Sequence, residues 1–258
     1  MLRILYEDES ILAMEKPAGM HSAPLPRGGG PDLLSALRSE RPGLTLAAGR
    51  RPWEAGLLHR LDSDTSGLVL IALHEEAMQG LLHSQDEGAF IKEYAALCLR
   101  AEGGAAGARP ERGQANRQGR IRSAFRAYGP RGARVAPIGP DLDPSSPVYE
   151  SRVTSMLRRP DGGICLGLAL SRGFRHQLRA HLSWIGLPIQ GDPLYQPGWR
   201  EGGRLMLHAR ALAFPHPADG RSMRIESRLP ECFGDPRDYL GIAAGGLGET
   251  LPPSPMDW

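Results

Sequence analysis

The sequence contains no apolar run approaching the length of a membrane span. Its start, Met1-Leu2-Arg3-Ile4-Leu5-Tyr6-Glu7-Asp8, turns acidic before a signal-peptide core can form, so neither export nor membrane insertion is expected, and the chain reads as cytoplasmic. Cysteine is scarce: Cys98, Cys165 and Cys232 are odd in number, far apart and without a CxxC spacing. That excludes a disulfide framework and a zinc ribbon, and it predicts reduced core thiols. An excess of charge is also missing. At a net +2, any contact with nucleic acid must rest on local rather than global basicity. There are no heptads, no internal repeat and no glycine-rich phosphate loop following a strand. What is present is ordinary for a globular chain: 258 residues, 41% hydrophobic and 23% charged, enough for one large domain or two small ones with a sizeable core.

The chain is organised around His59-Arg60-Leu61-Asp62-Ser63-Asp64-Thr65-Ser66-Gly67, a dense polar knot between two apolar runs. Leu68 to Leu73, just after it, is short, partly β-branched and closed by charged residues, which predicts a buried strand. An Arg and two Asp beside apolar surface need partners, because unpaired charges are costly there. The same residues also fit a plain Asx turn feeding the strand. Upstream, Arg3 to Tyr6 and Ser10 to Met14 are strand candidates, Lys16-Pro17-Ala18-Gly19 is a turn, and Pro31-Asp32 opens a helix through Leu33, Leu34 and Leu37. Downstream, His74 to Ser84 has Ala77, Met78, Leu81 and Leu82 at helical spacing, Gly88 closes that helix, and Ile91 to Leu99 reads as a strand.

Composition shifts between Arg100 and Pro147, where Gly, Ala, Pro and Arg dominate and Arg109, Arg112, Arg117, Arg120, Arg122, Arg126, Arg131 and Arg134 face few acids. A flexible insertion over residues 101–147 is expected. It is either a mobile surface segment or a basic arm that follows a phosphate backbone. Arg120 to Tyr128 is a candidate for one exposed strand within it. A hairpin follows, from Val148 to Leu157 and Ile164 to Leu170, turning at Pro160-Asp161-Gly162-Gly163. The second polar concentration, Ser171 to Leu182, predicts a helix with Leu178, Leu182 and Ile185 on one face and Arg175 and Arg179 on another. Leu205 to Phe214 and Arg221 to Ser227 form a last strand pair, and the chain thins into Gly and Pro after Leu240. Strands outnumber helices, so the expected class is α+β, with a mostly antiparallel mixed sheet and flanking helices.

An ionised Asp62 in a partly buried cleft needs a cation, which Arg179 on a packed helix can supply bidentately. Such a pair keeps the carboxylate deprotonated, as nucleophilic catalysis requires. Tyr94 can offer a ring to a planar ligand. Spacing alone leaves purely structural roles open for all three.

At these residues the sequence resembles the RluA-like family of RNA pseudouridine synthases, over most of its ordered length. The family signature HRLDxxTSGLLLxA appears here as His59-Arg60-Leu61-Asp62-Ser63-Asp64-Thr65-Ser66-Gly67-Leu68-Val69-Leu70-Ile71-Ala72. Ile4 to Asp8 with Lys16 to His21 is similar to the family's entry strand and loop, and Lys92-Glu93-Tyr94 to its KxY element. Gly173 to Leu182 is similar to GRTHQIRVHL, Gly191 to Tyr195 to GDxxYG, and Leu207-His208-Ala209 to LHA. The resemblance implies a pseudouridine synthase fold with a central RNA-binding cleft, a catalytic domain over residues 1–240 and a C-terminal tail over 241–258. It implies isomerisation of specific uridines in rRNA or tRNA, with the uridine in a loop or flipped from a helix.

Carried over position by position, Asp62 matches the aspartate that attacks the flipped uridine or its ribose. Tyr94 matches the tyrosine packed on the target base, and Arg179 the basic residue paired with the aspartate. Arg60 matches the arginine that contacts RNA beside the extruded nucleotide. His59, Leu61, Thr65, Arg175, His176 and Gln177 share these two elements and are expected to bind substrate. The resemblance implies no cofactor and no metal, and the expected state is a monomer. His59, His176, His181 and His208 are expected to make structural hydrogen bonds rather than to bind metal.

Three departures stand out. Phe174-Arg175 replaces the family's Arg-Thr, the entry strand starts too early for the N-terminal S4 domain of many relatives, and the Gly/Arg-rich segment has no counterpart. That segment is expected to stand in for the missing RNA-binding domain. Two other readings remain. Asp62-Ser63-Asp64-Thr65 fits the DxDxT motif of haloacid-dehalogenase-like, magnesium-dependent phosphatases, which place it after an apolar parallel strand. The other is a non-catalytic RNA-binding module.

Overall fold

In the computed structural model the apolar run after the polar knot is β3, Ser66–Ala72, with every residue buried. It pairs antiparallel with β2, Ile11–Lys16, from Ile11 opposite Ala72 to Lys16 opposite Gly67, and β2 pairs antiparallel with β1, Arg3–Glu7. The structure describes residues 2–25, 28–49, 51–99, 119–139, 145–159 and 161–235. They fall into two compact units, Met1–Glu93 with His208–Leu229, and Tyr94–Leu207 with the residues from Pro230 on. The expected tail over 241–258 lies outside the described residues.

In the first unit β3 also runs parallel to β9, Leu207–Pro215, which pairs antiparallel with β10, Ser222–Glu226. The β3–β9 crossing explains the glycine of the signature. Gly67 has φ +117, and a Cβ there would meet the Ala209 carbonyl oxygen at 2.2 Å. Two helices accompany this sheet. In α1, Leu33–Glu40, the Asp32 carboxylate caps the start by accepting from the Ser35 N–H at 2.8 Å, while Leu33, Leu34 and Leu37 bury one face. In α2, Glu75–Asp86, the His74 ring nitrogen Nδ1 accepts from the Ala77 N–H, and Glu75 and Glu76 suit the positive end of the helix dipole. Ala77, Met78 and Leu81 pack with Leu68, Leu70, Phe90 and Phe214 in one apolar core.

The second unit orders its strands β4-β8-β7-β5-β6. β4 is Ile91–Cys98, β5 Arg120–Tyr128, β6 Arg134–Ile138, β7 Tyr149–Arg158 and β8 Ile164–Leu170. The β7–β8 hairpin forms as expected. The flexible insertion needs correction in part: β5 has paired strands on both sides, β6 and β7, and buries Ile121, Ser123 and Ala124, so it is neither mobile nor wholly exposed. Residues 101–118 and 140–144, with Arg109, Arg112 and Arg117, lie outside the described residues.

Helix α3, Gln177–Trp184, also differs from expectation. It starts after Arg175 and buries all eight of its residues rather than one face, because its polar side chains have internal partners. Among the thiols, Cys98 and Cys165 are buried and free, but Cys232 is exposed rather than in the core.

Candidate active site

Lys16 closes β2 with its side chain fully buried, and its ammonium donates to the carbonyls of Pro17 at 2.9 Å, Met20 at 2.6 Å and Ser63 at 2.9 Å. The Gly19 N–H donates to the same Ser63 carbonyl at 2.9 Å. On the other side of Asp62, the Ser22 hydroxyl accepts from the Leu61 N–H and donates to the Leu61 carbonyl, both at 3.0 Å. The Thr65 N–H closes a turn onto the Asp62 carbonyl at 3.1 Å. Asp62, itself half-buried, therefore sits on a backbone gripped from both sides by shielded polar contacts, the support a positioned nucleophile needs. Neither Lys16 nor Ser22 was among the expected site residues. The available signal was a lysine ending an apolar strand, which must find acceptors if it is buried.

Arg60 projects from this loop and is exposed, but its Nη1 lies 2.9 Å from Glu54 Oε1, a carboxylate only 8% exposed. His59 turns inward. Both of its ring nitrogens are shielded from solvent, and neither has a hydrogen-bond partner among the described residues. Burial, with a smaller push from the Lys92 ammonium, takes its pKa down to about 3. Leu61 and Thr65 are buried as well, which makes them parts of the loop's support rather than an open binding surface. The DxDxT reading loses its footing, since Asp62 to Thr65 precede strand β3 and do not follow a parallel one.

Behind the signature runs a chain of buried hydrogen bonds. Ser66 Oγ meets His208 Nδ1 at 2.8 Å, His208 Nε2 meets Ser227 Oγ at 3.0 Å, and the Ser227 hydroxyl reaches Glu15 Oε2 at 2.7 Å.

In the second unit Tyr94 lies half-buried on β4. Arg179 was expected to offer its two-pronged edge to Asp62. Its Nε and Nη2 edge is held by Asp192: Nε donates to Oδ2 and Nη2 to Oδ1, both at 2.8 Å. Asp192 is held in turn by the N–H groups of Leu194 and Tyr195, and the Arg179 guanidinium lies 5.4 Å from the centre of the Tyr195 ring. The Tyr195 hydroxyl accepts from the Val135 N–H at 2.8 Å and meets His176 Nδ1 at 3.1 Å. Burial pushes this phenol up to about 12 despite that N–H and the nearby guanidinium. Gly191 makes the turn possible: φ is +77, and a Cβ would meet the Arg204 carbonyl oxygen at 2.0 Å.

Gln177 was expected to bind substrate, but it is 3% exposed. Its carbonyl oxygen accepts from the Phe174 N–H, and its amide donates to the Glu150 carbonyl and to Ser151 Oγ. It holds α3 to β7. His176 stands just before α3 in the left-handed region, φ 56, which is rare for a residue other than glycine. Arg175 is exposed and bonded to the Gly132 carbonyl. Phe174, the departure from the family pattern, stacks on Phe125 at 5.0 Å and packs against Tyr149 at 5.0 Å. His181 lies between two hydroxyls, Ser123 Oγ at 2.8 Å and Ser151 Oγ at 2.9 Å, and burial lowers its pKa to about 3. Among the described residues no three His, Cys, Asp or Glu side chains are grouped to hold a metal ion, and no helix is long and apolar enough to cross a membrane.

Residues 10–184 match the family model described as RNA pseudouridylate synthase. The chain is 31% identical over 246 residues to a Pseudomonas aeruginosa protein named ribosomal large subunit pseudouridine synthase D, spanning 90% of this chain and 69% of that one. It is 34% identical over 220 residues to an uncharacterized RNA pseudouridine synthase of Chloroflexus aurantiacus, spanning 83% of this chain and 62% of that one. Among solved structures, human RNA pseudouridylate synthase domain containing 1 superposes with a TM-score of 0.63 at 20% identity, covering 93% of this chain and 88% of its own. Human RNA pseudouridylate synthase domain containing 4 follows at 0.60 and 18%, covering 90% of each chain. These two likenesses bear on the fold alone. The match to the family model and the identity to the Pseudomonas protein go further: the chain belongs to the RNA pseudouridylate synthase family.

Proposed function

We propose that this chain isomerises uridine to pseudouridine in ribosomal RNA, in the cytoplasm and as a monomer, with Asp62 as the nucleophile. The observation that carries the reading is the signature around Asp62, matched at every specified position but Val69 and set on a loop gripped by Lys16, Gly19 and Ser22. In this reaction the Asp62 carboxylate attacks the everted nucleotide and the bond from ribose to uracil N1 breaks. The freed uracil turns and rejoins the sugar through C5, and the bond to Asp62 breaks as the new one forms, releasing the carboxylate. The C5 proton leaves and N1 gains one, so atoms and electrons balance without an external reagent. Tyr94 packs on the base and relays the proton. Arg179 keeps the carboxylate ionised, and Arg60 contacts the RNA beside the extruded nucleotide, where a cation offsets phosphate charge. Ribosomal RNA is favoured over transfer RNA by the name of the Pseudomonas relative.

The test maps pseudouridine in total RNA from cells with and without this protein, then with the Asp62→Asn variant. Sites present only with the wild-type protein are expected, in ribosomal RNA. The variant should abolish them while binding RNA within about a few-fold of wild type. Retained modification would remove Asp62 from the nucleophile's role.

A further inference from the structure

Lysine is nearly absent from the chain. Lys16 and Lys92 are its only two, and both are buried, so arginine carries the fixed positive charge of the surface. Strand β5 concentrates it. Successive side chains alternate between the faces of a sheet. On one face Ser123 bonds His181 of α3, and Phe125 lies 4.9 Å from the same ring. The opposite face of β5 presents Arg120 and Arg122 on one side of the buried Ala124 and Arg126 and Tyr128 on the other, these four all exposed. Its neighbours extend the row, with Arg152 of β7 directly opposite Arg120 and Arg134 of β6 directly opposite Tyr128.

This arrangement works against the fold taken alone. Like charges directly opposite across a strand pair repel, as Arg120 and Arg152 do. The acid in reach among the described residues is Glu150, and it serves both Arg120 and Arg122 at 3.7 Å, longer than a direct hydrogen bond. A strand face that needed only to stay soluble would mix its charges. A row of guanidinium groups suits one ligand in particular. Arg120 and Arg122 stand about 7 Å apart and Arg126 about 13 Å further on, beyond the buried Ala124, so the strand carries the row over roughly 26 Å to Tyr128, a track whose spacing suits phosphates of neighbouring and next-but-one nucleotides. Each guanidinium can give a phosphate two parallel N–H bonds, and an exposed tyrosine at the far end offers an unpaired base a ring to stack on.

We propose that the exposed face of β5, with Arg120, Arg122, Arg126 and Tyr128 flanked by Arg134 and Arg152, is a docking track for a single-stranded segment of the substrate RNA away from the reacting nucleotide. None of these residues lies in the elements that carry the family resemblance. The inference rests on the RNA-modifying function proposed above and adds a contact that sets affinity, not chemistry.

The test uses the full chain carrying Arg120→Gln, Arg122→Gln and Arg126→Gln together. A control, Arg38→Gln, Arg200→Gln and Arg228→Gln, removes the same charge from exposed positions elsewhere. Binding to poly(U) is measured across a salt series, and pseudouridine formation is followed on RNA from cells lacking the protein. The track variant should bind poly(U) about tenfold or more weakly near 0.1 M salt, with the log-log salt slope shallower by about 2, while the control stays within about threefold of wild type. Its KM for RNA should rise with kcat within about twofold. Tyr128→Ala should weaken binding several-fold with the slope unchanged. Should the glutamine variant fold poorly, the variant with lysine at all three arginines must keep the wild-type slope, and Tyr128→Ala carries the rest.

Wild-type affinity and slope in the track variant, or an equal loss in the control, would overturn the proposal. The two readings fail separately. Pseudouridine formed by the track variant with unchanged KM removes the track and leaves the isomerase. Track-dependent binding by a wild-type chain that makes no pseudouridine does the reverse.

Discussion

Arg179 and Asp192 face each other through two parallel hydrogen bonds of 2.8 Å, with both side chains shut off from solvent. Asp192→Asn keeps an oxygen for the Leu194 and Tyr195 N–H groups but removes the charge that balances the guanidinium. Breaking a buried pair from one side costs about 3–5 kcal/mol, because the remaining ion has lost its water as well as its partner. Urea unfolding should show a loss of that size. A loss well under 1 kcal/mol would mean that the pair is not what anchors Arg179.

Lys16→Met makes the second prediction. Methionine fills a similar length but leaves the Pro17, Met20 and Ser63 carbonyls without this donor, and among the described residues only Ser63 keeps a second one, from the Gly19 N–H. At about 1–3 kcal/mol for a buried group left unsatisfied, and less where water reaches the carbonyl as at the exposed Pro17, the variant should lose about 1–3 kcal/mol in urea unfolding. The grip on the Asp62 loop loosens at the same time, so kcat should fall while RNA affinity holds within about a few-fold. Unchanged kcat would assign Lys16 to stability alone.

Strands and helices were legible where a period or a cap announces them. Ile164–Leu170 was bounded correctly, and Asp32 marked the start of α1. Arg120–Tyr128 was also bounded correctly, although its burial was not, because Ile121, Ser123 and Ala124 are too few among arginines to signal a core face. The pairing of Arg179 with Asp192 was not legible. Asp192 lies thirteen residues on, beyond a helix end and a turn, where no side-chain periodicity relates the two positions. Helix α3 misled for a related reason: Gln177, Arg179 and His181 look like a solvent face until each is matched to Ser151, Asp192 and Ser123.

Glu54→Gln tests how Arg60 is aimed. The Glu54 carboxylate is 8% exposed and holds Arg60 Nη1 at 2.9 Å, with Arg51 Nε at 4.0 Å on the same oxygen. Because the guanidinium end of the pair is exposed, stability should change by only about 1 kcal/mol or less. An untethered Arg60 must be ordered when RNA binds, so KM should rise by about three- to tenfold with kcat within about twofold. An unchanged KM would show that Arg60 needs no tether.

The last prediction concerns pH. Burial takes the imidazoles of His59 and His181 down to about 3 from an ordinary value of 6.5, with Lys92 adding to the effect at His59. Between those values the unfolded chain binds protons that the folded chain refuses. Stability is therefore full above pH 6.5 and declines as pH falls toward 3, by about 1.4 kcal/mol per pH unit for each histidine. Asp8 acts in a lower window. Burial pushes its carboxyl up, but hydrogen bonds from the Ser10 and Ile11 N–H groups, the Tyr6 hydroxyl and His216 outweigh that and hold it at about 2. Its contribution is present above pH 3.8 and is lost as pH falls through 2, so the range between about pH 6.5 and 4.5 belongs to the histidines. Urea midpoints taken from about pH 7 to pH 5 should fall steadily, and His181→Gln should take away about half of the slope whatever its effect at pH 7. A flat wild-type profile over that range would mean that both rings accept protons in the folded state.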